Sequence, residues 1–231
     1  MIKGETSEGK CVNCPARSAC VFSVLNRDDL RAVERAMDRL RYADDKTLFM
    51  QGAAVHGLHI LCQGLAKLRL GTRDGRRLLI RFCSPGAMLN GLSLPKYAFS
   101  AVSTGTSIVS FIDKARAVEL IKQYPKLEAE IEHRFAQDSQ HLLQRMADLA
   151  YESVEGRLAH VLLSLGQRHG IHEGNSIRIS LPLSQQDLAE MIGASRQAVN
   201  LELRKLAAQG LIHVERCRIT ILTPKRLSDL K

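Results

Sequence analysis

Three cysteines fall within ten residues near the start of the chain, as Cys11-x2-Cys14-x5-Cys20. Thiolate sulfur is both a soft metal ligand and a redox-active nucleophile, so a cluster this tight can hold a metal or close a disulfide. Three further cysteines, Cys62, Cys83 and Cys217, stand alone. The charged residues of Met1–Lys10 are followed by no apolar run, so no secretory leader is expected. In a reducing compartment such a cluster reads first as a metal site. Zinc usually takes paired Cys-x2–4-Cys halves, and only one half is present. A reversible thiol–disulfide switch is the other rival.

The second chemical constellation lies near the other end. Leu183–Gly210 spells a helix, a tight turn at Gly193 and a second helix. Ser184 is placed to cap the first helix, with Asp187 as the acidic residue three positions on. Ser195 is placed to cap the second. At about 100° per residue, Arg196, Gln197, Asn200 and Arg204 share one face of that helix, and Val199, Leu203 and Leu206 a neighbouring one. Arg can grip guanine in a bidentate contact, and Gln or Asn can grip adenine. Helix N-termini and Ser hydroxyls suit phosphate. Two short alternating runs, Leu211–Val214 and Arg218–Leu222, follow like the strands of a wing. From Arg178 to Lys231 nine basic residues stand against five acidic ones, which favours a polyanion partner.

Enzyme chemistry has no comparable footing. His56 and His59 are badly spaced as ligands on a strand, and His169 and His172 are read as solvated residues flanking a loop glycine. No nucleophile elbow, phosphate loop or catalytic carboxylate pair can be recognised. The chain is therefore read as a non-enzyme.

The elements that carry these residues follow from periodicity. Cysteine-bearing Met1–Ser23 has no helical or strand period and reads as a loop that needs something to hold it. Asn26 or Asp28 can cap a helix in which Leu30, Val33, Ala36, Met37 and Leu40 recur. From Lys46 to about Ile112, short apolar runs alternate with turns at Gln51-Gly52, Gln63-Gly64, Asp74-Gly75 and Pro85-Gly86, the texture of a β-sandwich or barrel. Asp74-Gly75 is a hairpin signal. Helical period returns after Asp113. Lys126–Glu152 predicts a helix about 40 Å long. Its stripe of Phe135, Leu142 and Leu149, filled in by Leu143 and Met146, is interrupted only by Ser139 and wants a partner helix. Gly156–His169 predicts another amphipathic helix, and Ile177, Ile179 and Leu181 a short strand. The chain's 231 residues carry 33 Lys and Arg against 24 acids, a net charge of +9 that suits a polyanion. Aromatic residues are 4% with no Trp, too few for a single-strand stacking surface. The uncharged stretch Tyr97–Ile112 is full of Ser and Thr and too short to span a bilayer, so no membrane role is expected.

This order of elements resembles the CRP/FNR family of bacterial transcription regulators over nearly the whole chain. Leu58-His-Ile-Leu-Cys-Gln-Gly64, Ser84-Pro-Gly86, Glu155-Gly-Arg-Leu-Ala159 and, most specifically, Leu183–Gly210 carry the likeness. The resemblance implies an α+β fold. A cysteine-rich loop (1–23) precedes an N-terminal β-roll sensor domain (24–124), a jelly roll like the cyclic-nucleotide-binding one. A long dimerisation helix (125–152) and a C-terminal winged helix-turn-helix (153–231) follow. It implies a cytoplasmic homodimer that binds a pseudo-palindromic double-stranded DNA operator and works with RNA polymerase. Ser184, Gln186 and Ser195 would serve phosphate and the helix cap. Arg196, Gln197 and Asn200 would face bases, and Phe135, Leu142, Met146 and Leu149 would line the dimer seam. Gln197 and Leu201 depart from CRP, so the base preference is not carried over. The cyclic-nucleotide branch needs a carboxylate for ribose and an Arg for phosphate. Those places read Asn90-Gly-Leu-Ser93 and Phe99-Ser-Ala101, which argues against cAMP because a buried phosphate without a cation is costly.

The FNR branch has a cysteine cluster of the same spacing in the same place, holding an oxygen-labile 4Fe–4S cluster, and thiolates are the usual ligands of such clusters. Cys11, Cys14 and Cys20 would then be three ligands. The branch's fourth lies on the last strand of the roll, where this chain has Ser110. Cys62 is the expected replacement, with Cys83, a carboxylate or an external ligand as alternatives. The resulting expectation is a regulator sensing oxygen, nitric oxide or redox state. The alternative is the same scaffold gated by a small molecule in the roll, with cysteines that bind zinc or act as thiol sensors. An electron-transfer or metal-storage protein is a third reading, which the helix-turn-helix disfavours.

Overall fold

In a computed structural model, which describes residues 2–3 and 11–230, the chain forms two compact units that divide after Asp138. The first unit contains β1 (Ile2–Lys3), α1 (Arg27–Arg35), β2 (Asp38–Tyr42), β3 (Thr47–Phe49), β4 (Gly57–Gly71), β5 (Arg77–Cys83), β6 (Ser100–Asp113) and α2 (Lys114–Gln123). The long helix α3 (Pro125–Tyr151) begins in it. The sheet runs β1-β2-β6-β4-β5, with β3 also on β6, and the pairings are antiparallel.

Two cores flank this sheet. Val21, Phe22, Leu30, Val33, Leu58, Ile60, Ile112, Leu120 and Leu127 form the one shared with the helices. Phe49, Leu61, Ala66, Leu68, Cys83, Leu89, Ala101 and Val109 form the one inside the roll. β4 shows how alternation sorts residues between them. Leu58 and Ile60 face the helices, whereas Leu61 faces the roll. Cys62, next in the alternation, continues the face of Leu58 and Ile60.

The sequence reading needs four corrections here. Gln63-Gly64 is not a turn: β4 runs straight through it, and two register shifts against β6, at Leu61/Gln63 and Gln63/Leu65, absorb the irregularity. Gly64 is left-handed, and a Cβ there would lie 2.5 Å from the Ser107 hydroxyl and the Thr106 carbonyl. The bulge inverts the alternation, so Ala66 and Leu68 join the roll core. Leu40 belongs to β2, opposite Val109, because the helix it was assigned to ends at Arg35. Asn26 caps that helix, accepting from the amides of Asp28 and Asp29. The cysteine segment is not a bare loop. It contains 3-10 turns at Arg17–Ala19 and Val21–Val24, buries Val21 and Phe22, and packs Cys11, Val12 and Cys20 against the helical core. The fourth correction, at His169, falls in the second unit.

That unit contains the rest of α3, then α4 (Val154–His169), β7 (Gly170–Glu173), β8 (Ser176–Ile179), α5 (Gln185–Ile192), α6 (Arg196–Ala208), β9 (Ile212–Glu215), β10 (Arg218–Ile221) and α7 (Pro224–Ser228). Its antiparallel sheet runs β7-β8-β10-β9. Leu158, Leu162 and Leu165 of α4 are buried with Leu188, Ile192, Val199 and Leu206. His169, at the end of α4, is half-buried rather than solvated, and burial, helped by Arg168, holds its imidazole below its usual range. Among the described residues no helix is long and apolar enough to cross a membrane.

Candidate functional site

The helix-turn-helix is built from its caps. Ser184 Oγ accepts from the Asp187 amide at 3.0 Å, while the Asp187 carboxylate accepts from the Ser184 amide at 3.3 Å and from its hydroxyl at 2.6 Å. This reciprocal box starts α5 and occupies the hydroxyl that the sequence assigned to phosphate. Gly193 closes α5 in a left-handed conformation (φ 63°), where L side chains are strained. Ser195 Oγ then accepts from the Ala198 amide at 3.1 Å and starts α6. With Val199, Leu203 and Leu206 buried, Arg196, Gln197 and Arg204 are exposed and Asn200 is half-buried. Gln186 is exposed on α5, its amide donating to Glu190 at 3.2 Å. Leu201, noted in the sequence only as a departure from CRP, is exposed on α6 and offers an apolar contact for a thymine methyl. Arg145 of α3 donates to the Met191 carbonyl at the end of α5. No spacing rule could have found that tie.

Four of the six cysteines surround one cavity in the first unit. Cys11, Cys14, Cys20 and Cys62 all line one cavity of about 530 Å³. Its lining comes mainly from two parts of the chain, with Leu30 of α1, Met37 and Gly86 completing it. Arg39 of β2, Ser110 and Ile108 of β6, and Ile60 and Cys62 of β4 come from three neighbouring strands; Cys11, Cys14, Pro15, Arg17 and Cys20 come from the N-terminal segment. The register explains the first part: Arg39 and Ile60 both pair with Ser110, so the three residues form a row across the sheet. Cys62 Sγ lies 3.0 Å from the Ser110 hydroxyl. Cys83 does not line the cavity; it is buried in the roll core. Cys217 is exposed at the wing turn. The thiols ring the cavity rather than converge: among the described residues no three His, Cys, Asp or Glu side chains close on a single-ion site.

Charge around the cavity is organised by an ion pair. Arg39 donates to Glu34 at 3.1 Å and to Cys11 Sγ at 3.5 Å, and the Cys11 amide donates to the same Glu34 oxygen at 3.3 Å. Burial pushes the Cys20 thiol up to about 11, with the Cys62 and Cys11 sulfurs adding to the rise. Burial also raises Cys11, and Glu34 adds to it while Arg39 opposes. These thiols are therefore protonated at neutral pH, and a metal that binds them must displace the protons. The segment is pinned from two sides. A Cβ on Gly86 (φ 93°) would lie 2.8–2.9 Å from the backbone of Ala19 and Cys20. Arg134 of α3, held by Glu130 at 2.7 Å, donates to the Ala19 carbonyl at 2.7 Å.

The seam residues of α3 differ in their surroundings. Phe135, Leu142 and Met146 are 42%, 47% and 65% exposed. The edge of the Phe135 ring lies against Gly91. Leu149 is only partly exposed, its side chain beside the Gly193 turn.

Known proteins agree with this layout. Residues 156–230 match the Crp-like helix-turn-helix domain, and residues 39–124 match the cyclic nucleotide-binding domain. The chain belongs to the CRP/FNR family. It is a CRP/FNR-type DNA-binding transcription regulator, and the relatives it matches are transcription regulators. It is similar to the nitrogen fixation regulation protein FixK of Bradyrhizobium diazoefficiens, 28% identical across 95% of this chain and 93% of that protein. It is also similar to the CRP-like cAMP-activated global transcriptional regulator of Mycobacterium tuberculosis, 28% identical across 91% of this chain and 95% of that protein. The fold is that of FixK2 from Bradyrhizobium japonicum (TM-score 0.76, 19% identity, 84% of this chain and 97% of that one). Within this CRP/FNR regulator, Asn90 is buried and fully engaged. Its carbonyl oxygen takes the His59 amide and faces His59 Nδ1, each at 3.0 Å, and its amide donates to Gly57 and Gly91 carbonyls at 2.9 Å.

Proposed function

We propose that this regulator senses oxygen, nitric oxide or redox state through a 4Fe–4S cluster for which Cys11, Cys14, Cys20 and Cys62 are the ligands. One observation carries the reading: four thiols from two distant parts of the chain line one cavity, whereas Cys83 and Cys217 do not. The donor set fits the group, since thiolates are the usual cluster ligands and Arg39 offers a hydrogen bond to the Cys11 sulfur. Zinc more usually takes paired Cys-x2–4-Cys halves, and the N-terminal segment offers only one. Bound there, the cluster supplies a centre that oxygen degrades. The chain's own residues carry the consequence onward. Arg134 ties the Cys20 segment to α3 one residue before Phe135, where the exposed apolar stripe begins. A change in how the segment is held therefore reaches the helix that pairs two copies.

The same reading makes the protein a cytoplasmic homodimer on a pseudo-palindromic operator, acting with RNA polymerase. The exposed Phe135, Leu142 and Met146 support the pairing, and Arg196, Gln197 and Asn200 are the base readers. cAMP is not the effector in this proposal: Asn90 stands where a ribose-binding carboxylate is needed and its polar atoms are already committed to the roll. The test is anaerobic purification with iron and acid-labile sulfide assay of wild type, Cys20→Ser, Cys62→Ser and Cys83→Ser. The expected result is a brown wild type with about four irons per chain, loss in the first two variants and near-normal content in the third. A colourless wild type carrying zinc overturns the reading in favour of the zinc alternative. A metal-free wild type whose cysteines pair on oxidation overturns it in favour of the thiol switch.

A further inference from the structure

Two side chains that are not thiols reach sulfurs in the cavity, and the sheet register brings both there. Ser110 is fully buried on β6, between β2 and β4. Its hydroxyl lies 3.0 Å from Cys62 Sγ. Arg39, opposite Ser110 on β2, places a guanidinium nitrogen 3.5 Å from Cys11 Sγ. Glu34 fixes that guanidinium at 3.1 Å, with both side chains largely buried, and the same carboxylate oxygen accepts the Cys11 amide. One acidic residue thus aligns the arginine and the cysteine with each other.

Burial makes these contacts consequential. A hydroxyl with no access to water gains from donating to sulfur, and a ligating thiolate has no proton of its own, so Ser110 is then the donor. The guanidinium is always charged and donates only. Hydrogen bonds to ligand sulfurs stabilise the more electron-rich state of an iron–sulfur centre and raise its reduction potential; the Arg39 charge is balanced by Glu34, so Arg39 acts through its hydrogen bond.

We infer that Arg39 and Ser110 are positioning residues that set the redox poise of the sensor, by donating to the Cys11 and Cys62 sulfurs respectively. This inference rests on the iron–sulfur reading above. It identifies two residues that bind no metal yet determine how readily the sensor responds, and it assigns Glu34 the task of aiming one of them.

The experiment compares anaerobically purified wild type, Ser110→Ala, Arg39→Lys and Arg39→Gln with Glu34→Gln. The paired variant avoids leaving a buried carboxylate alone. Iron content is measured first, then the midpoint potential by anaerobic optical titration, then the decay of cluster colour in air. The expected result is near-wild-type iron content with lowered potentials and faster decay in air. Ser110→Ala and the paired variant should each shift the reduced-to-oxidised ratio by up to about tenfold at a fixed potential, equivalent to about 59 mV for one electron. Arg39→Lys, which keeps the charge but loses the fork, should fall between wild type and the paired variant. Unchanged potentials in folded, iron-replete variants overturn the inference and leave the sensor reading intact. Loss of iron from folded Ser110→Ala also overturns it, because Ser110 would then hold the site rather than tune it. A wild type without iron overturns the underlying reading, and with it this one.

Discussion

The helix-turn-helix and the cysteine cavity are assembled in opposite ways. The first is local. Ser184, Asp187, Gly193 and Ser195 are close in sequence, and their caps and left-handed turn specify the geometry that exposes Arg196 and Gln197. The second is distributed. Its lining comes mainly from the N-terminal segment and three strands, and Arg39, Ser110 and Cys62 are brought together only because β6 lies between β2 and β4. A local site can be read from spacing and survives small changes elsewhere. A site assembled by sheet register is hidden from spacing and depends on the whole unit.

The sharpest way to probe this difference is to move a ligand between strands. Cys62→Ser is expected to abolish cluster binding, and adding Ser110→Cys should restore most of it, because the two side chains already touch. Anaerobic iron content measures both variants. No recovery in a folded double variant would show that register alone does not define the fourth ligand.

The next effect tests the stripe on α3. Leu142→Asp places a charge where two apolar surfaces are expected to meet. Sedimentation should show monomers, and operator affinity should fall by at least tenfold, because two half-sites are no longer read together. Retained dimers with full affinity would move the interface elsewhere. The partly covered Leu149 serves as the internal contrast, since Leu149→Ala should weaken α3 against the Gly193 turn more than it weakens pairing.

Smaller still are single contacts in the local site. Arg196→Ala should cost about 1–3 kcal/mol and relax preference at one operator position. Gln186→Ala should weaken all sequences evenly, as a phosphate contact would. Competition binding against an operator panel at fixed salt separates the two patterns. Unchanged preference in Arg196→Ala would remove it from the base-reading set.

The smallest effect contrasts the units in acid. Burial holds His59 below its usual 6.5, partly offset by Asn90, and His169 is lowered in the same direction. Such a group takes up its proton in the unfolded chain first. Its contribution is therefore complete above about 6.5 and is lost as pH falls from there toward the lowered folded value. His59→Gln should flatten that acid slope for the roll while leaving the DNA-binding unit's slope unchanged, as calorimetry across pH would show. A slope unchanged in both units would mean that His59 does not titrate differently on folding.

What could be read in advance follows the same division. The α5–α6 hairpin, the β4–β5 hairpin at Asp74-Gly75 and the extent of α3 were legible because their signals are local. The Gln63-Gly64 bulge was misread because a glycine marks both turns and bulges, and only pairing with β6 distinguishes them. Leu40 was misread because an apolar residue three beyond Met37 suits a helix as well as a strand. Cys62 was reached through family likeness; its contact with Ser110, and the places of Arg39 and Arg134, depend on tertiary register that spacing does not encode.

The central position of β6 also fixes an order of events during synthesis. Cys11, Cys14 and Cys20 are made first, but the strand that joins the Arg39 and Cys62 strands ends at Asp113. At roughly 5–20 residues per second, the early thiols wait several seconds to tens of seconds before their site can close. Throughout that interval they depend on the reducing capacity of their surroundings, and a cluster held as proposed would enter a finished cavity only after the roll has folded.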